Sequence, residues 1–417
     1  MRILAVAHLW PNEVEPRYGI FVSRQLEAMA AQGADITLLV PRLYCPTWMR
    51  RLFKKPASYN HTLALADVPG VTAIPIPYVG FPGQWFNRYS GLSVFTSIRG
   101  KAKRLHQREP FDVIYATELF LNGDAARRLS DELKIPVACL SIGSDINVTA
   151  QATQALRKHF ANIVRSVDGT LACGQSAADD MLKIGPKRDT LCVYGVVDLE
   201  RFRPVKDKQS IRRSLGLPED KQLVLYVGYL WKRKGLRELF QAFESVLAAQ
   251  PNTKLLVCGA GDEEKAIKEA AANSKAEQSV QFIGSVDPDE IHKYMQAADV
   301  FTLPSYAEGM PNAVMEAMAC GLPVVTTSVG GLPAALAGND GAILVPPRDV
   351  ASLAKALTSL LSDAEKQSRM GIAARELAER DFGVQRSAQR ILEYLAIVAD
   401  INSSVSATQS VDAASIQ

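Results

Sequence analysis

Short apolar runs alternate with amphipathic stretches along nearly the whole chain. Runs that are apolar on both faces and separated by helix-period segments are typical of parallel strands covered by helices on both sides. A first series of strands is predicted at Ile3–Ala7, Ile36–Val40, Val113–Ala116, Val137–Leu140 and Gly169–Cys173. A second series is predicted at Leu223–Val227, Lys254–Cys258, Val280–Ile283, Val300–Leu303, Pro323–Thr326 and Ala342–Val345. Two such series in one chain predict two doubly wound α/β domains.

The two series are separated by a charged, proline-punctuated stretch at residues 195–220. We therefore expect an amino-terminal domain over residues 1–197 and a carboxyl-terminal domain over residues 198–382. A last helix over residues 383–400 is expected to pack back towards the first domain. The small, polar residues 401–417 are expected to form a flexible tail.

Composition and charge narrow the class of protein. With 47% hydrophobic and 22% charged residues, the chain has the composition of a soluble globular protein. A net charge of +3 gives no case for nucleic-acid binding. The six cysteines form no CxxC pair, which favours buried thiols in a reducing cytosol. No stretch approaches the ~18 apolar residues that span a bilayer, so we expect a cytoplasmic protein, at most bound to the inner face of the plasma membrane.

The strongest local signal is a loop and helix that follow the predicted strand Val300–Leu303. Pro311 stands where a first helical position would be, and Gly321 is a typical helix stop. The amides of Gly309, Met310 and Asn312 are expected to point out of the helix start, where the positive end of the helix dipole favours phosphate or sugar hydroxyls.

Two glutamates flank this helix start. Glu308 lies just before it, and Glu316 lies about one and a half turns inside it. Carboxylate oxygens suit ligands rich in hydroxyl groups because each oxygen accepts a separate hydrogen bond. Taken alone, a glutamate inside a helix more often lies on a solvated face.

The joint pattern resembles the E-x7-E signature of glycosyltransferase family 4, the retaining sugar transferases of GT-B fold. The resemblance covers nearly the whole chain, because further motifs follow in the order and at the spacing of that family. These motifs are GIFVSRQLEAMAAQG (Gly19–Gly33), FDVIYATELFLNG (Phe111–Gly123), GSDINV (Gly143–Val148), GVVDLERFRP (Gly195–Pro204), YVGYLWKRKG, FIGSV and SVGGLP.

The resemblance implies two Rossmann-like domains that face each other across a cleft. It implies a retaining glycosyltransferase that moves a sugar from a nucleotide-diphosphate donor, a UDP- or GDP-sugar, to a hydroxyl acceptor. The acceptor is expected to be a carbohydrate or a lipid-linked sugar of cell-surface polysaccharide or glycolipid biosynthesis. No permanently bound cofactor and no metal is implied.

The resemblance also implies roles for single residues. Glu316 matches the glutamate that holds the donor ribose, and Glu308 matches the catalytic glutamate against the sugar. Lys234 matches the lysine that clamps the diphosphate leaving group, where charge builds as the glycosidic bond breaks. Gly309, Met310, Pro311 and Asn312 are expected to bind the donor through the helix start, and Gly19 is expected to let backbone approach the phosphates.

This sequence departs from the family pattern at several positions. Tyr229 stands where relatives carry the second cation of the clamp, so Lys232 or Arg233 is expected to supply that charge, or Tyr229 to donate one neutral hydrogen bond. Ile142 replaces a histidine or arginine, and Ala334 replaces an acid. Asp145 is the best acceptor-side catalytic group, although its position before a helical pattern also fits an N-cap.

Two basic stretches of the amino-terminal half suggest contact with anionic lipid. Thr47–Tyr59 interleaves four cations with large apolar residues and has no acid, and a second basic run extends from Arg99 to Arg108. This composition suits an interfacial helix, and it equally suits two solvated faces.

Two other functions are compatible with the same motifs. One is a sugar-nucleotide epimerase or hydrolase of this fold, which would need no glycosyl acceptor. The other is a catalytically silent donor-binding subunit, suggested by Tyr229, Ile142 and Ala334. The intact Glu308, Glu316 and Lys234 favour the transferase.

Overall fold

The computed structural model describes residues 1–16, 18–44, 64–80, 87–143, 145–194 and 197–414, with the backbone alone at 87–88, 147–148 and 401–414. The chain divides into two compact units. Unit 1 comprises Met1–Tyr194 together with Val384–Gln417, and unit 2 comprises Gly195–Gly383.

Unit 1 is built on a parallel sheet of seven strands in the order β3-β2-β1-β4-β5-β6-β7. The strands are β1 (Arg2–Val6), β2 (Asp35–Leu43), β3 (Val71–Tyr78), β4 (Val113–Thr117), β5 (Val137–Ser141), β6 (Gly169–Ala172) and β7 (Leu191–Cys192). The helices are α1 (Ile20–Ala31), α2 (Asn87–Arg108), α3 (Asp124–Leu133), α4 (Gln154–Ser166) and α5 (Gln175–Ile184). Separate apolar clusters fill the two faces of the sheet, one including α2, α3 and α4 and the other including α1.

Unit 2 is built on a parallel sheet of six strands in the order β10-β9-β8-β11-β12-β13. The strands are β8 (Gln222–Val227), β9 (Thr253–Cys258), β10 (Val280–Gly284), β11 (Val300–Leu303), β12 (Val324–Thr327) and β13 (Ala342–Val345). The helices are α6 (Lys208–Ser214), α7 (Leu236–Ala249), α8 (Glu264–Ala272), α9 (Ile291–Ala297), α10 (Asn312–Ala319), α11 (Leu332–Ala335), α12 (Val350–Leu361) and α13 (Ala364–Leu377).

The predicted α/β class with two doubly wound parallel sheets is confirmed. Every strand predicted from an apolar run is present, and its bounds lie within one residue of those expected, except that β2 extends three residues further, to Leu43. The run pattern did not identify β3, because Pro75 and Pro77 interrupt it. β3 lies at the edge of its sheet, where a residue without an N–H group is tolerated. β7 was also missed, since two residues are too short to show a periodic pattern.

The last helix, α14, extends from Val384 to Ala414 and belongs to unit 1. One side of it is buried against the sheet through Ala388, Ile391, Leu395 and Val398, which recur at the spacing of one helical face. The helix continues past residue 400, where the sequence led us to expect a flexible tail. No glycine or proline occurs between Val384 and Ala414 to end it.

Candidate functional site

The candidate site of unit 2 is formed by two segments that follow neighbouring strands. β8 and β11 pair in parallel, so the segments after Val227 and after Leu303 leave the sheet at the same edge. This carboxyl edge is where open α/β sheets bind their ligands. The amide of Tyr306 donates a hydrogen bond of 2.7 Å to the carbonyl of Arg233 and joins the two segments.

The first segment turns sharply so that its lysine faces the second. Lys232–Lys234 forms one turn of 3-10 helix, and Gly235 follows it with a φ of 71° before α7 begins. A Cβ on Gly235 would lie 2.0 Å from the carbonyl oxygen of Pro304. Only glycine allows the two segments to approach this closely with that backbone conformation.

Lys234 and Glu308 form an ion pair in this site. Lys234 Nζ lies 2.6 Å from Glu308 Oε1, and the two side chains are only 12% and 10% exposed. Electrostatic interactions are stronger where water is largely excluded, and an ammonium group offers three donors, of which this contact uses one. Burial, and secondly the negative charge of Glu308, raise the pKa of the Tyr226 hydroxyl, which donates to the carbonyl of Tyr229.

The helix that follows the second segment begins one residue later than expected. Pro311 is the N-cap rather than the first helical residue, since its ψ of 117° is extended, and α10 begins at Asn312. Proline has no N–H group to satisfy at this position. Within the described chain, no backbone partner receives the amides of Met310, Asn312 or Ala313. The helix start therefore offers hydrogen-bond donors, and half-buried Glu316 lies one turn further on.

A third segment supports the loop that carries Glu308. A Cβ on Gly330, whose φ is 58°, would lie 2.0 Å from the carbonyl oxygen of Glu308. The neighbouring Gly331 donates a backbone hydrogen bond of 2.7 Å to the carbonyl of Gly309. The glycine pair of SVGGLP therefore acts through backbone contact with the loop, and Ala334 lies further along this segment, in the short helix α11.

Tyr229, Trp231 and Arg233 form a three-layered stack, which we call the aromatic stack. The rings of Tyr229 and Trp231 lie 4.9 Å apart with an interplanar angle of 15°, and the Arg233 guanidinium lies 4.7 Å from the centre of the Trp231 ring. Trp231 was not identified from the sequence. No periodic spacing marks it, because the chain passes from extended backbone at Trp231 directly into the 3-10 turn Lys232–Lys234. Lys232 is exposed and takes no part in the stack.

In unit 1 the candidate residue Asp145 lies within a cluster of hydrogen bonds. The Asp145 carboxylate is 2% exposed. It accepts hydrogen bonds from the Ser141 hydroxyl at 2.7 Å and from the amides of Leu119, Ile146 and Ile142 at 3.0, 3.0 and 3.4 Å. These donors occupy both oxygens and tie the loop after β5 to the turn after β4. None of these four donors is an amide two or three residues further along the chain, which is the donor that an N-cap satisfies, so the bonds shown join two loops. The contact of Asp145 with an acceptor stays a prediction.

Glu118 was not identified from the sequence, yet the pKa of its carboxyl group is strongly raised. Its φ of 73° is unusual for a residue other than glycine, and its carboxylate accepts from the amides of Phe120, Leu121 and Asn122. Burial, and secondly the charge of Asp145, raise the pKa of Glu118 from 4.5 to about 8. No sequence motif marks this group, because the shift arises from burial beside a second carboxyl.

The raised pKa of Glu118 predicts a pH-dependent stability. The folded protein binds this proton more tightly than the unfolded chain, so the favourable contribution is complete below pH 4.5 and is lost as the pH rises to about 8. In Glu118→Gln the titrating group is absent. The free energy of unfolding of the variant should therefore rise relative to that of wild type, by a few kcal/mol between pH 4.5 and about 8. Urea unfolding at several pH values measures this difference. If the free energies of unfolding of variant and wild type differed by the same amount at all pH values, the raised pKa of Glu118 would be contradicted.

Close backbone contact explains the glycine at position 19, and burial explains the lowered pKa of His8. Gly19 has a φ of 71°, and a Cβ there would lie 2.3 Å from the Leu9 carbonyl carbon, so close backbone contact alone requires glycine. The contribution of Gly19 to phosphate binding stays a prediction. Burial lowers the pKa of His8 to about 4, while a hydrogen bond from Asn122 opposes that shift.

The segment Thr47–Tyr59, on which the membrane prediction mainly depends, lies outside the described residues. The second basic run lies within them. Arg99 to Arg108 forms the second half of α2, where Arg99 pairs with Glu132 at 3.3 Å. Among the described helices, none combines the length and the apolar character needed to cross a bilayer.

Two doubly wound sheets in one chain, with a lysine–glutamate pair at the carboxyl edge of the second, define the GT-B class of fold. Comparison with known proteins agrees with this class. A family model described as glycosyl transferases group 1 matches residues 207–377. The HepE protein of Anabaena, solved in complex with UDP, has the same fold, with a TM-score of 0.69 at 19% identity over 95% of this chain and 100% of that one.

Two curated relatives extend the likeness in sequence. TuaC of Bacillus subtilis, described as a teichuronic acid biosynthesis glycosyltransferase, is 30% identical over 86% of this chain and 88% of its own length. The D-inositol 3-phosphate glycosyltransferase 2 of Catenulispora acidiphila is 29% identical over 74% of this chain and 75% of its own length. The chain therefore belongs to the group 1 glycosyltransferases, which confirms the resemblance to family 4.

Proposed function

We propose that this protein is a retaining, metal-independent glycosyltransferase that uses a nucleotide-diphosphate sugar. The observation that carries the proposal is the largely buried pair of Lys234 and Glu308 beside a helix start with unpaired amides. Such a site combines a cation for a diphosphate with acceptors and donors for sugar hydroxyls.

In this proposal the two glutamates divide the work of holding the donor. Glu316 accepts from the ribose hydroxyls, and Glu308 lies against the sugar while it fixes Lys234 through one oxygen at 2.6 Å. Lys234 directs its remaining N–H donors at the departing diphosphate. Its charge is most effective when the glycosidic bond breaks, because the negative charge on the leaving oxygen is then largest. The departing phosphate takes the proton of the acceptor hydroxyl on the same face of the sugar, so the anomeric configuration is retained.

The aromatic stack is proposed to supply the second cation. Tyr229 replaces the family's cation and is 63% exposed. The Arg233 guanidinium is held over Trp231 on the same turn as Lys234. A guanidinium that is already ordered by stacking loses less conformational freedom when it binds phosphate. Arg233 is therefore favoured over Lys232 for this role.

For the acceptor we propose a hydroxyl compound of cell-surface polysaccharide or glycolipid synthesis, bound by unit 1. The names of the relatives support this class: one acts in teichuronic acid biosynthesis and the other transfers to an inositol phosphate. The donor is proposed to be a UDP- or GDP-sugar, and the UDP bound by HepE supports a uridine nucleotide.

A thermal-shift screen with UDP-, GDP- and ADP-sugars tests the proposal. We expect one base to raise the unfolding midpoint, because a ligand at ~100 times its Kd stabilises by about 2.7 kcal/mol. Glu316→Ala should abolish the shift, since it removes the proposed ribose contact. Glu376→Ala, a glutamate of α13 in the same unit, is the matched control and should keep it.

Two outcomes would contradict the proposal. A shift with none of the sugar nucleotides would count against a donor site. Conversion or hydrolysis of the bound sugar nucleotide at full rate without any acceptor would favour the epimerase or hydrolase instead.

A further inference from the structure

Unit 1 contains a pocket that no part of the donor site uses. It encloses about 480 Å³ and is lined by residues of three helices: Tyr89 and Leu92 of α2, Arg128 of α3, and Ala155, Lys158, His159 and Asn162 of α4. The four residues of α4 recur at i, i+3, i+4 and i+7, so they form one face of that helix. We call this site the three-helix pocket.

The pocket lies near the ligand-binding edge of its sheet. α3 and α4 follow β4 and β5, and both helices therefore begin at the carboxyl edge. Arg128 and His159 stand in the second turns of these helices, and Ala155 in the first turn of α4. The pocket thus opens close to the edge at which an acceptor is expected.

One wall of the pocket is basic. Arg128 is held by buried Asp124 at 3.0 Å, and His159 lies 3.9 Å from the same carboxylate while its ring packs edge-on against Phe120 at 5.9 Å. The ion pair with Asp124 fixes the direction of the Arg128 side chain. Lys158 is exposed and forms no ion pair within the described residues, so its charge is uncompensated.

The positive excess of the wall comes from Lys158. Arg128 is paired with buried Asp124, and Arg127 lies 3.6 Å from the same carboxylate but pairs more closely with Asp131, at 2.9 Å. Burial lowers the pKa of His159, so its imidazole is neutral at pH 7 and offers hydrogen bonds rather than charge. Carboxylates and phosphates are the ligands that such a convergent set of donors fits.

The opposite wall is apolar and accessible. Tyr89 is 50% exposed and Leu92 is 40% exposed, one helical turn apart on α2. Large apolar side chains in this position offer a surface for a sugar ring or an alkyl chain.

We infer that the three-helix pocket binds the anionic group of the glycosyl acceptor, a phosphate or carboxylate, with its apolar wall against the adjoining part of that molecule. The inference rests on the proposed function, since it assigns the acceptor class of the same enzyme. The anion contacts Lys158 and Arg128, and Asn162 and His159 offer further hydrogen bonds.

Binding of small amphiphiles to the full chain tests this inference without any donor. Ligand-observed NMR at low ionic strength measures the binding. n-Octyl phosphate, below its micellar concentration, should bind, and the neutral n-octyl glucoside should bind at least tenfold more weakly. Lys158→Glu should weaken binding of octyl phosphate about tenfold, because it reverses the unpaired charge of the wall. Arg157→Glu makes the same change in net charge on the same helix, outside the pocket lining, and should stay within about twofold of wild type.

A third ligand, sn-glycerol 3-phosphate, identifies the source of the anion. Tighter binding of octyl phosphate than of glycerol phosphate supports a lipid-linked acceptor that uses Leu92, and equal binding supports a water-soluble phosphorylated acceptor. Equal binding of phosphate and glucoside, or equal losses in the two reversal variants, would overturn the inference. The donor thermal shift should be unchanged in Lys158→Glu, so failure of this inference is distinguishable from failure of the proposed function.

Discussion

Replacing Lys234 by methionine should lower kcat about 10²- to 10³-fold and also destabilise unit 2. The rate falls because the proposed leaving-group cation is lost. The stability falls because Glu308, only 10% exposed, is left without its partner at 2.6 Å. Breaking a buried ion pair costs about 3 kcal/mol or more, most of it from the unpaired charge that remains.

A second variant separates the two effects. Lys234→Met combined with Glu308→Gln removes both charges, so most of the lost stability should return while the activity should not. Lys232→Met is the matched control, since Lys232 lies on the same turn but is exposed. It should leave kcat within about twofold of wild type and the free energy of unfolding nearly unchanged. Steady-state kinetics and urea unfolding measure the two effects. Full activity in Lys234→Met would exclude the proposed role of this lysine.

Gly330→Ala should abolish donor binding although Gly330 offers no side chain to a ligand. Its φ of 58° is unfavourable for alanine, and the added Cβ would lie 2.0 Å from the carbonyl oxygen of Glu308. A left-handed conformation costs alanine ~1–2 kcal/mol. Displacement of the Glu308 backbone adds ~1–3 kcal/mol of overpacking and moves the carboxylate away from Lys234.

Gly338→Ala is the control that measures only the cost of the left-handed backbone conformation. Gly338 has a similar φ of 69°, but an added Cβ would meet no atom within 4 Å. We expect Gly338→Ala to lose stability by ~1–2 kcal/mol and to keep the donor thermal shift. If both variants lost the same stability and both kept the shift, the contact between the SVGG segment and the Glu308 loop would not matter for the site.

The residues of the proposed donor site could be named from the sequence, although their roles stay predictions. Glu308 and the helix start after Pro311 belong to one local sequence motif, and Lys234 belongs to another. The structure brings Lys234 and Glu308 into contact. The aromatic stack was not predictable in this way, because Arg233 lies in a 3-10 turn and the stack follows from that local bend of the backbone rather than from a periodic spacing.

The candidate site of unit 1 was much less predictable. Asp145 fitted both a contact with acceptor and an N-cap, and neither pattern predicted its four hydrogen bonds, which join the loops after β4 and β5. Glu118 looked like an ordinary acid of a strand-to-helix connection. Its raised pKa depends on burial beside Asp145, a residue of a later loop that no local pattern connects with it.

The amino-acid sequence by itself determined the class of fold, since apolar runs and helical periods are local properties that each segment expresses wherever it lies. It also determined which residue types stand at the end of each strand of unit 2. Only the tertiary structure decided which of those residues meet. The Lys234–Glu308 pair, the support of the Glu308 loop by Gly330 and the three-helix pocket all join segments from different elements. Their geometry depends on strand order and close packing, and neither is a property of any one segment.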